Sequence, residues 1–262
     1  MKNILLLLPD QLFSFTINSI FTFRRLDTRI VKQSGQWLVY ENNECLHLVH
    51  KKRVLLYLKG IKNRLRQLDH NYMVSKVLGL LEISAFVDIG ANIGELSRLH
   101  GLPYFAFEPG EKEFACLQIN VPDAKKSVNV GLWYEKTTLK FYASSSSADS
   151  SFIEPLNYDN SFQMNVERLD AYDIPENCFL KVEAEGAEIE VLQGAEKILS
   201  KASCIAVDTG FERGVACDST TVEVIDFLYN HNFRLVDFTP GRMILLFYRQ
   251  NLADSLQENL RP

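Results

Sequence analysis

From about residue 80 to residue 250 the chain alternates between apolar runs of strand length and stretches with helical spacing. This alternation constrains the fold most, because it is what βαβ units around a mostly parallel sheet require. Strands are predicted at Ala85 to Ile89, Tyr104 to Phe107, Ser127 to Val130, Cys178 to Val182, Ser203 to Val207 and Phe233 to Asp237. Helices are predicted near Ile93 to Leu99, Glu111 to Ile119, Gly186 to Leu199 and Thr221 to Tyr229. The run Met243 to Tyr248 follows Pro240-Gly241 closely enough to form a hairpin with its predecessor, which makes the last strand antiparallel. The expected architecture is therefore α/β, a Rossmann-like and mostly parallel sheet over residues 81–250, with a small α+β segment at 1–80 and a polar tail at 251–262.

Residues 132 to 170 interrupt the alternation. Thr137 to Tyr142 reads as an extra strand and Ser144 to Ser151 as a polar loop, in an excursion off the sheet where substrate contacts are commonly carried. In the first 80 residues, GQWLVYENN suggests a short strand. Val54, Leu58, Ile61, Leu65 and Leu68 recur at helical spacing, so residues 51–68 are expected to form a helix with one apolar face. Its remaining faces carry Lys59, Lys62, Arg64 and Arg66, led by Lys51, Lys52 and Arg53. Such a basic face is usually solvated, and the segment 51–66 is also open to contact with anionic lipid or a phosphate-bearing substrate. His47 and His50, three apart in an expected strand, point to opposite faces and form no metal pair. The N-terminal apolar run is broken by Pro9 and Asp10, too short to span a membrane, and reads as a packing segment, with a membrane-surface helix as the alternative.

Composition excludes some classes. A formal charge of -5 and a pI near 5.6 argue against a dedicated nucleic-acid binder. The five cysteines are odd in number and lack CxxC spacing, so neither a disulfide framework nor a zinc site is indicated. A cytoplasmic protein is expected, with peripheral contact at the inner face of the membrane left open.

Two stretches carry chemistry. In FVDIGANIGELS, residues 86 to 97, an apolar strand ends in Asp88 and a turn holding Gly90, Ala91, Asn92 and Gly94 leads into a helix. Such turns let backbone approach a nucleotide closely. About twenty residues on, FAFEP places Glu108 at the end of the next strand, the offset at which an acid accepts hydrogen bonds from ribose. A dinucleotide fold wants GxGxxG, and the second glycine is absent here, which counts against a NAD(P)-dependent oxidoreductase. In FLKVEAEGAEIEVLQGAEKIL, residues 179 to 199, Glu183, Glu185, Glu188 and Glu190 crowd a strand-to-helix corner. Glu188 and Glu190 suit the positive end of a helix. Glu183 and Glu185 lie where open α/β sheets bind ligands.

The chain resembles the FkbM-type S-adenosylmethionine-dependent methyltransferases of the class I methyltransferase fold. The resemblance runs from about Phe86 to Phe238, carried by VDIGANIG, by FEP with Leu117 and Asn120, by Arg168-Leu169-Asp170 and by FLKVEAEGAEIEVLQGA; the family's usual aspartate is Glu183 here. VDTGFERG with Thr220 and Thr221 is similar to the sugar-modifying branch. The resemblance implies that Asp88, Gly90, Ala91, Asn92 and Gly94 wrap the methionine part of S-adenosylmethionine, that Glu108 holds the ribose, and that Asn129 to Gly131 border the adenine. It implies an O-methyltransferase acting on a sugar hydroxyl of a surface glycan, its precursor or a sugar nucleotide; a non-catalytic partner in glycan assembly is the alternative.

A sugar hydroxyl needs a base, and Glu183 and Glu185 are the candidates, since two close carboxylates push one pKa up. Lys181 shares a strand face with Glu183 and is counted with the two glutamates as a catalytic candidate, a buried ion pair with one of these acids being the alternative. A divalent cation held by Glu183 and Asp208 is the less favoured use of the same oxygens.

Overall fold

The computed structural model describes residues 2–144 and 149–259. Part of the predicted polar loop, residues 145–148, lies outside them. The N-terminal segment comprises α1 (Lys2–Leu6), α2 (Asp10–Phe23), the antiparallel strands β1 (Thr28–Gln33), β2 (Gln36–Glu41) and β3 (Glu44–Leu48), then α3 (Lys51–Val54), α4 (Ile61–Tyr72) and α5 (Val74–Leu80). The expected single helix over 51–68 is thus broken. Gly60 stands between its pieces at φ +86, with its α-carbon so close to Glu41 that a Cβ would lie 2.3 Å from Oε1. Left-handed backbone of this kind favours glycine and ends a helix.

The remainder follows as β4 (Ala85–Ile89), β5 (Tyr104–Phe107), α6 (Glu111–Asn120), β6 (Lys126–Val128), β7 (Gly131–Leu132), β8 (Thr137–Ala143), β9 (Asn160–Glu167) and β10 (Cys178–Val182), then α7 (Glu188–Gln193), α8 (Glu196–Leu199), β11 (Ala202–Asp208), β12 (Phe211–Arg213), β13 (Asp218–Ser219), α9 (Thr221–Asn230), β14 (Phe233–Thr239), β15 (Ile244–Arg249) and α10 (Gln250–Asn259). Seven strands form the central sheet in the order β14-β15-β11-β10-β4-β5-β6, and β15 is antiparallel to both neighbours. The chain leaves β4 toward β5 and β6, then returns through the β7–β9 excursion to place β10 on the other side of β4. Strand order reverses at that point, which opens a crevice beyond the carboxyl ends of β4 and β10.

Both faces of the sheet are covered, so its central strands are buried along their length. Side chains alternate across β4: Ala85, Val87 and Ile89 join the core toward α7 and α9, while Phe86 joins Phe179 and Leu246 on the face that packs against α4 and α5. A third core built from Phe13, Ile17, Phe21, Trp37 and Val39 includes Ile93 from the glycine turn and Cys116 from α6. The N-terminal segment is thereby seated directly on the glycine turn.

Two further expectations are corrected. The helix predicted from Gly186 to Leu199 is split into α7 and α8 around Gly194, where the backbone passes so close to Trp133 that a Cβ would lie 2.0 Å from its carbonyl oxygen. Asp170 then accepts hydrogen bonds from the Lys197 and Ile198 amides, at 2.9 and 3.2 Å, at the start of α8. The helix expected after Ile93 is one short 3₁₀ segment, Glu95–Leu99.

Candidate active site

The crevice at the ends of β4 and β10 is lined by Asp88, Gly90, Ala91, Asn92, Lys181, Glu183 and Glu185, with Phe107, Pro109, Val130 and Leu132 along one wall and Arg64, Leu68 and Tyr72 of α4 along another. Parallel register sets Asp88 opposite Lys181. Lys181 is fully buried, and its ammonium meets four oxygens: Asp88 Oδ1 at 2.9 Å, Glu183 Oε2 at 3.2 Å, and the Ile89 and Gly90 carbonyls at 3.0 and 2.8 Å. Burial works to lower its pKa, but the two carboxylates outweigh burial and the net shift is upward. Lys181 is therefore a charged tie between two strand ends. Asp88 also accepts a hydrogen bond from the Tyr104 hydroxyl on its other oxygen, Oδ2.

The glycine turn is shaped for close approach. Gly90, at φ +68, lies so near β10 that a Cβ would fall 1.9 Å from the Glu183 carbonyl oxygen, and Asn92 is also left-handed at φ 50. Glu108 accepts the Asn92 and Gly110 amides, both at 2.7 Å, so its carboxylate fixes the turn from behind; burial raises its pKa to about 7. Asn129 donates to the Glu108 and Pro109 carbonyls. Of the residues expected at a cofactor, Asp88, Gly90, Ala91 and Asn92 line the crevice, whereas Gly94, Glu108, Asn129 and Gly131 stand behind it and Val130 and Leu132 supply the surface. These residues fit S-adenosylmethionine: a cradle without a Cβ, an apolar wall for the adenine and carboxylates for a cation.

The four glutamates of the corner separate by environment. Burial would raise the Glu183 pKa, but Lys181 and Arg242 outweigh it and hold the carboxylate at about 2. Glu185, half-buried at a left-handed φ of 50, has its pKa pushed well up by burial and then by Glu212 and Glu183. Among the described residues no donor bonds its carboxylate, and it faces the crevice. Glu188 accepts the Ala184 and Gly186 amides at 3.1 and 2.9 Å and the Thr220 hydroxyl at 2.9 Å, which fixes the loop between β10 and α7. Glu190 is held by Arg213.

Glu188→Ala is expected to destabilise the protein by about 2 kcal/mol, because the buried Gly186 amide and Thr220 hydroxyl and the half-buried Ala184 amide lose their acceptor. Urea unfolding measures this directly, and a change below about 0.5 kcal/mol would show that the loop holds itself.

Arg242, in the β14–β15 turn, places Nη2 at 2.9 Å from Glu183 and 2.5 Å from Asp208. The pair considered for a cation thus shares a guanidinium, and no group of three or more His, Cys, Asp or Glu side chains suited to a metal occurs among the described residues. Glu212 completes this acidic rim; burial first and Asp208 second raise its pKa to about 8.

Several site residues escaped the sequence. Glu95, just past the glycine turn, is buried with Arg64 at 2.9 Å, Tyr57 at 2.6 Å and Arg53 at 3.4 Å. Arg53 and Arg64 therefore leave the basic face predicted for residues 51–66 and turn inward. The Tyr72 hydroxyl lies near enough to Glu183 to help keep it ionised, yet meets no acceptor at hydrogen-bond geometry. Only the glutamate in GANIGELS and the arginines at 53 and 64 hinted at this arrangement.

Residues 88–235 match the family described as Methyltransferase FkbM domain. No curated protein matches the chain. Among solved structures, methyltransferase FkbM from Methylobacillus flagellatus KT is similar at 18% identity and a TM-score of 0.45, over 65% of this chain and 45% of that one. The chain thus spans less than half the length of that relative. The SAM-dependent methyltransferase from Aquifex aeolicus is similar at 15% identity and TM-score 0.38, over 71% of this chain and 96% of that one. The N-terminal domain of human METTL16 in complex with SAH is similar at 13% identity and TM-score 0.37, over 88% and 78%.

Proposed function

Because this chain belongs to the FkbM family of S-adenosylmethionine-dependent methyltransferases, we propose that it methylates a sugar hydroxyl, in a surface glycan, its precursor or a sugar nucleotide, with Glu185 as the base. The observation that carries this reading is that two neighbouring carboxylates line one crevice in different settings, Glu183 tied to Lys181 and Arg242 and the Glu185 carboxylate bonded by no donor among the described residues. Glu183 is held at about 2 and Glu185 is pushed well above its usual range, and such pairs divide into a fixed charge and a proton acceptor.

When bound, S-adenosylmethionine supplies an electrophilic methyl group. Asp88, Gly90, Ala91 and Asn92 would hold it, with Val130 and Leu132 against the adenine. Glu183 stays ionised and offers a negative charge beside the reacting carbon. The acceptor oxygen would take the methyl group as its C–S bond breaks, the electron pair leaving on the thioether sulfur. Glu185 would take the hydroxyl proton, with Leu68, Phe141 and Phe152 lining the crevice around them. The acidic rim of Asp208 and Glu212 favours a neutral, hydroxyl-rich acceptor over a polyanion such as RNA. Arg242 is tied to Glu183 and Asp208 within that rim, so it holds the rim together rather than offering a free cation to an anionic acceptor.

The test is turnover of labelled S-adenosylmethionine with a panel of sugar nucleotides and oligosaccharides, NAD and NADP binding and a structured RNA serving as controls. Transfer to a sugar supports the reading. Transfer to RNA instead, binding of NAD alone, or cofactor binding with no transfer to any sugar would sink it, the last in favour of a non-catalytic partner in glycan assembly.

A further inference from the structure

Helix α2 buries Phe13, Ile17 and Phe21 against the N-terminal sheet, as an amphipathic helix should. Its opposite face is apolar as well. Leu12, Phe15 and Phe23 are 48%, 70% and 90% exposed, and Ile4 and Leu7 just before them are 68% and 84% exposed. The polar residues on the same helix do not compensate. Thr16, Ser19 and Thr22 each donate their hydroxyl to a carbonyl four residues back, Leu12, Phe15 and Asn18, so their hydrogen-bonding capacity is already met within the helix. A face of large apolar groups and internally satisfied hydroxyls is suited to a medium that offers no hydrogen bonds.

Charge supplies the second observation. Residues 1–80 hold 13 of the 28 Lys and Arg but only 5 of the 33 Asp and Glu, so this segment is strongly basic while the rest of the chain is strongly acidic. Several of these cations are neutralised in place, Arg53 and Arg64 on Glu95 and Lys32 on Asp10. Arg25, Lys59, Lys62 and Arg66 are exposed, and none forms an ion pair among the described residues. The Arg24 guanidinium donates to the Leu58 carbonyl at 2.9 Å, which draws the Lys59–Lys62 turn to the end of α2, beside Phe23.

We propose that the outer face of α1 and α2, with the basic corner at Arg25, Lys59 and Lys62, docks on an anionic lipid surface. The apolar side chains enter the headgroup boundary and the cations meet lipid phosphates. No helix of the described residues is long and apolar enough to cross a membrane, so this contact is peripheral. A nucleic acid would use the cations but leave the apolar face uncovered, and lipid accounts for both.

The experiment is flotation of the full chain with vesicles of phosphatidylcholine alone and of phosphatidylcholine with phosphatidylglycerol, and it needs no methyltransferase activity. Binding is expected to the mixed vesicles and to weaken in salt. Phe15→Ser with Phe23→Ser is expected to weaken it about tenfold or more, and each of Arg25→Gln and Lys59→Gln about fivefold. The replaced side chains are exposed or at a surface corner, so thermal midpoints should match the parent, which separates lost docking from lost folding. The proposal is overturned by absence of flotation, by flotation indifferent to the phenylalanine changes, by retention on RNA but not vesicles, or by a vesicle-independent dimer that the phenylalanine changes dissolve.

Discussion

Glu185→Gln is expected to lower kcat by about 10²–10⁴-fold, the range that positioned proton acceptors contribute, while leaving cofactor binding intact. Glutamine keeps the shape and removes the proton acceptor. The pH profile provides the internal check. A base must be deprotonated to act, and burial with Glu212 and Glu183 raises the Glu185 pKa, so kcat/KM should rise with pH as Glu185 loses its proton. Glu212→Gln removes the largest of the neighbouring charges that push it up, so the acid limb of the profile should move to lower pH with the maximum little changed. Turnover of Glu185→Gln within about tenfold of the parent would place the base elsewhere, and an acid limb unmoved by Glu212→Gln would show that another group sets the profile.

Lys181→Met should be the most destabilising single change at the site, by about 3–5 kcal/mol, because it leaves the Asp88 carboxylate buried without its cation. The Ile89 and Gly90 carbonyls lose their donor at the same time. For a chain of this size the thermal midpoint should fall by about 10 °C. Replacing both partners removes the orphaned charge, so Lys181→Met with Asp88→Leu should recover part of the loss. An unchanged midpoint for Lys181→Met would mean that water already neutralises the cluster.

The strands of the central sheet were legible because each is a compact apolar run between turn residues, and β4, β5 and β10 begin and end where that pattern does. The breaks at Gly60 and Gly194 were not legible, since local periodicity continues through them and the close passage of Glu41 and of the Trp133 carbonyl is set by segments far away in sequence. In β9 the alternation of Phe162, Met164 and Val166 was present but lay in the excursion off the sheet, in a part assigned no element. At the site, Asp88, Gly90 and Asn92 announce themselves because the turn is one contiguous stretch. Arg242 and Tyr72 sit about 30 residues beyond and about 15 before the nearest recognisable motif, and hairpin closure and helix packing bring them in. Sequence placed Lys181 beside an acid through two-residue spacing on a strand, whereas the tie across to Asp88 depends on the register of β10 against β4.

The buried carboxylate of Glu95 also bears on inheritance. The family match begins at residue 88, yet Glu95 draws its counterion from Arg64 and its phenol from Tyr57, both outside that boundary. The portion that relatives share is consequently not a portable module. A graft of residues 88–235 onto a segment without Arg64 and Tyr57 would carry an interior anion that has lost these partners, so the boundary drawn by likeness falls inside one packed unit.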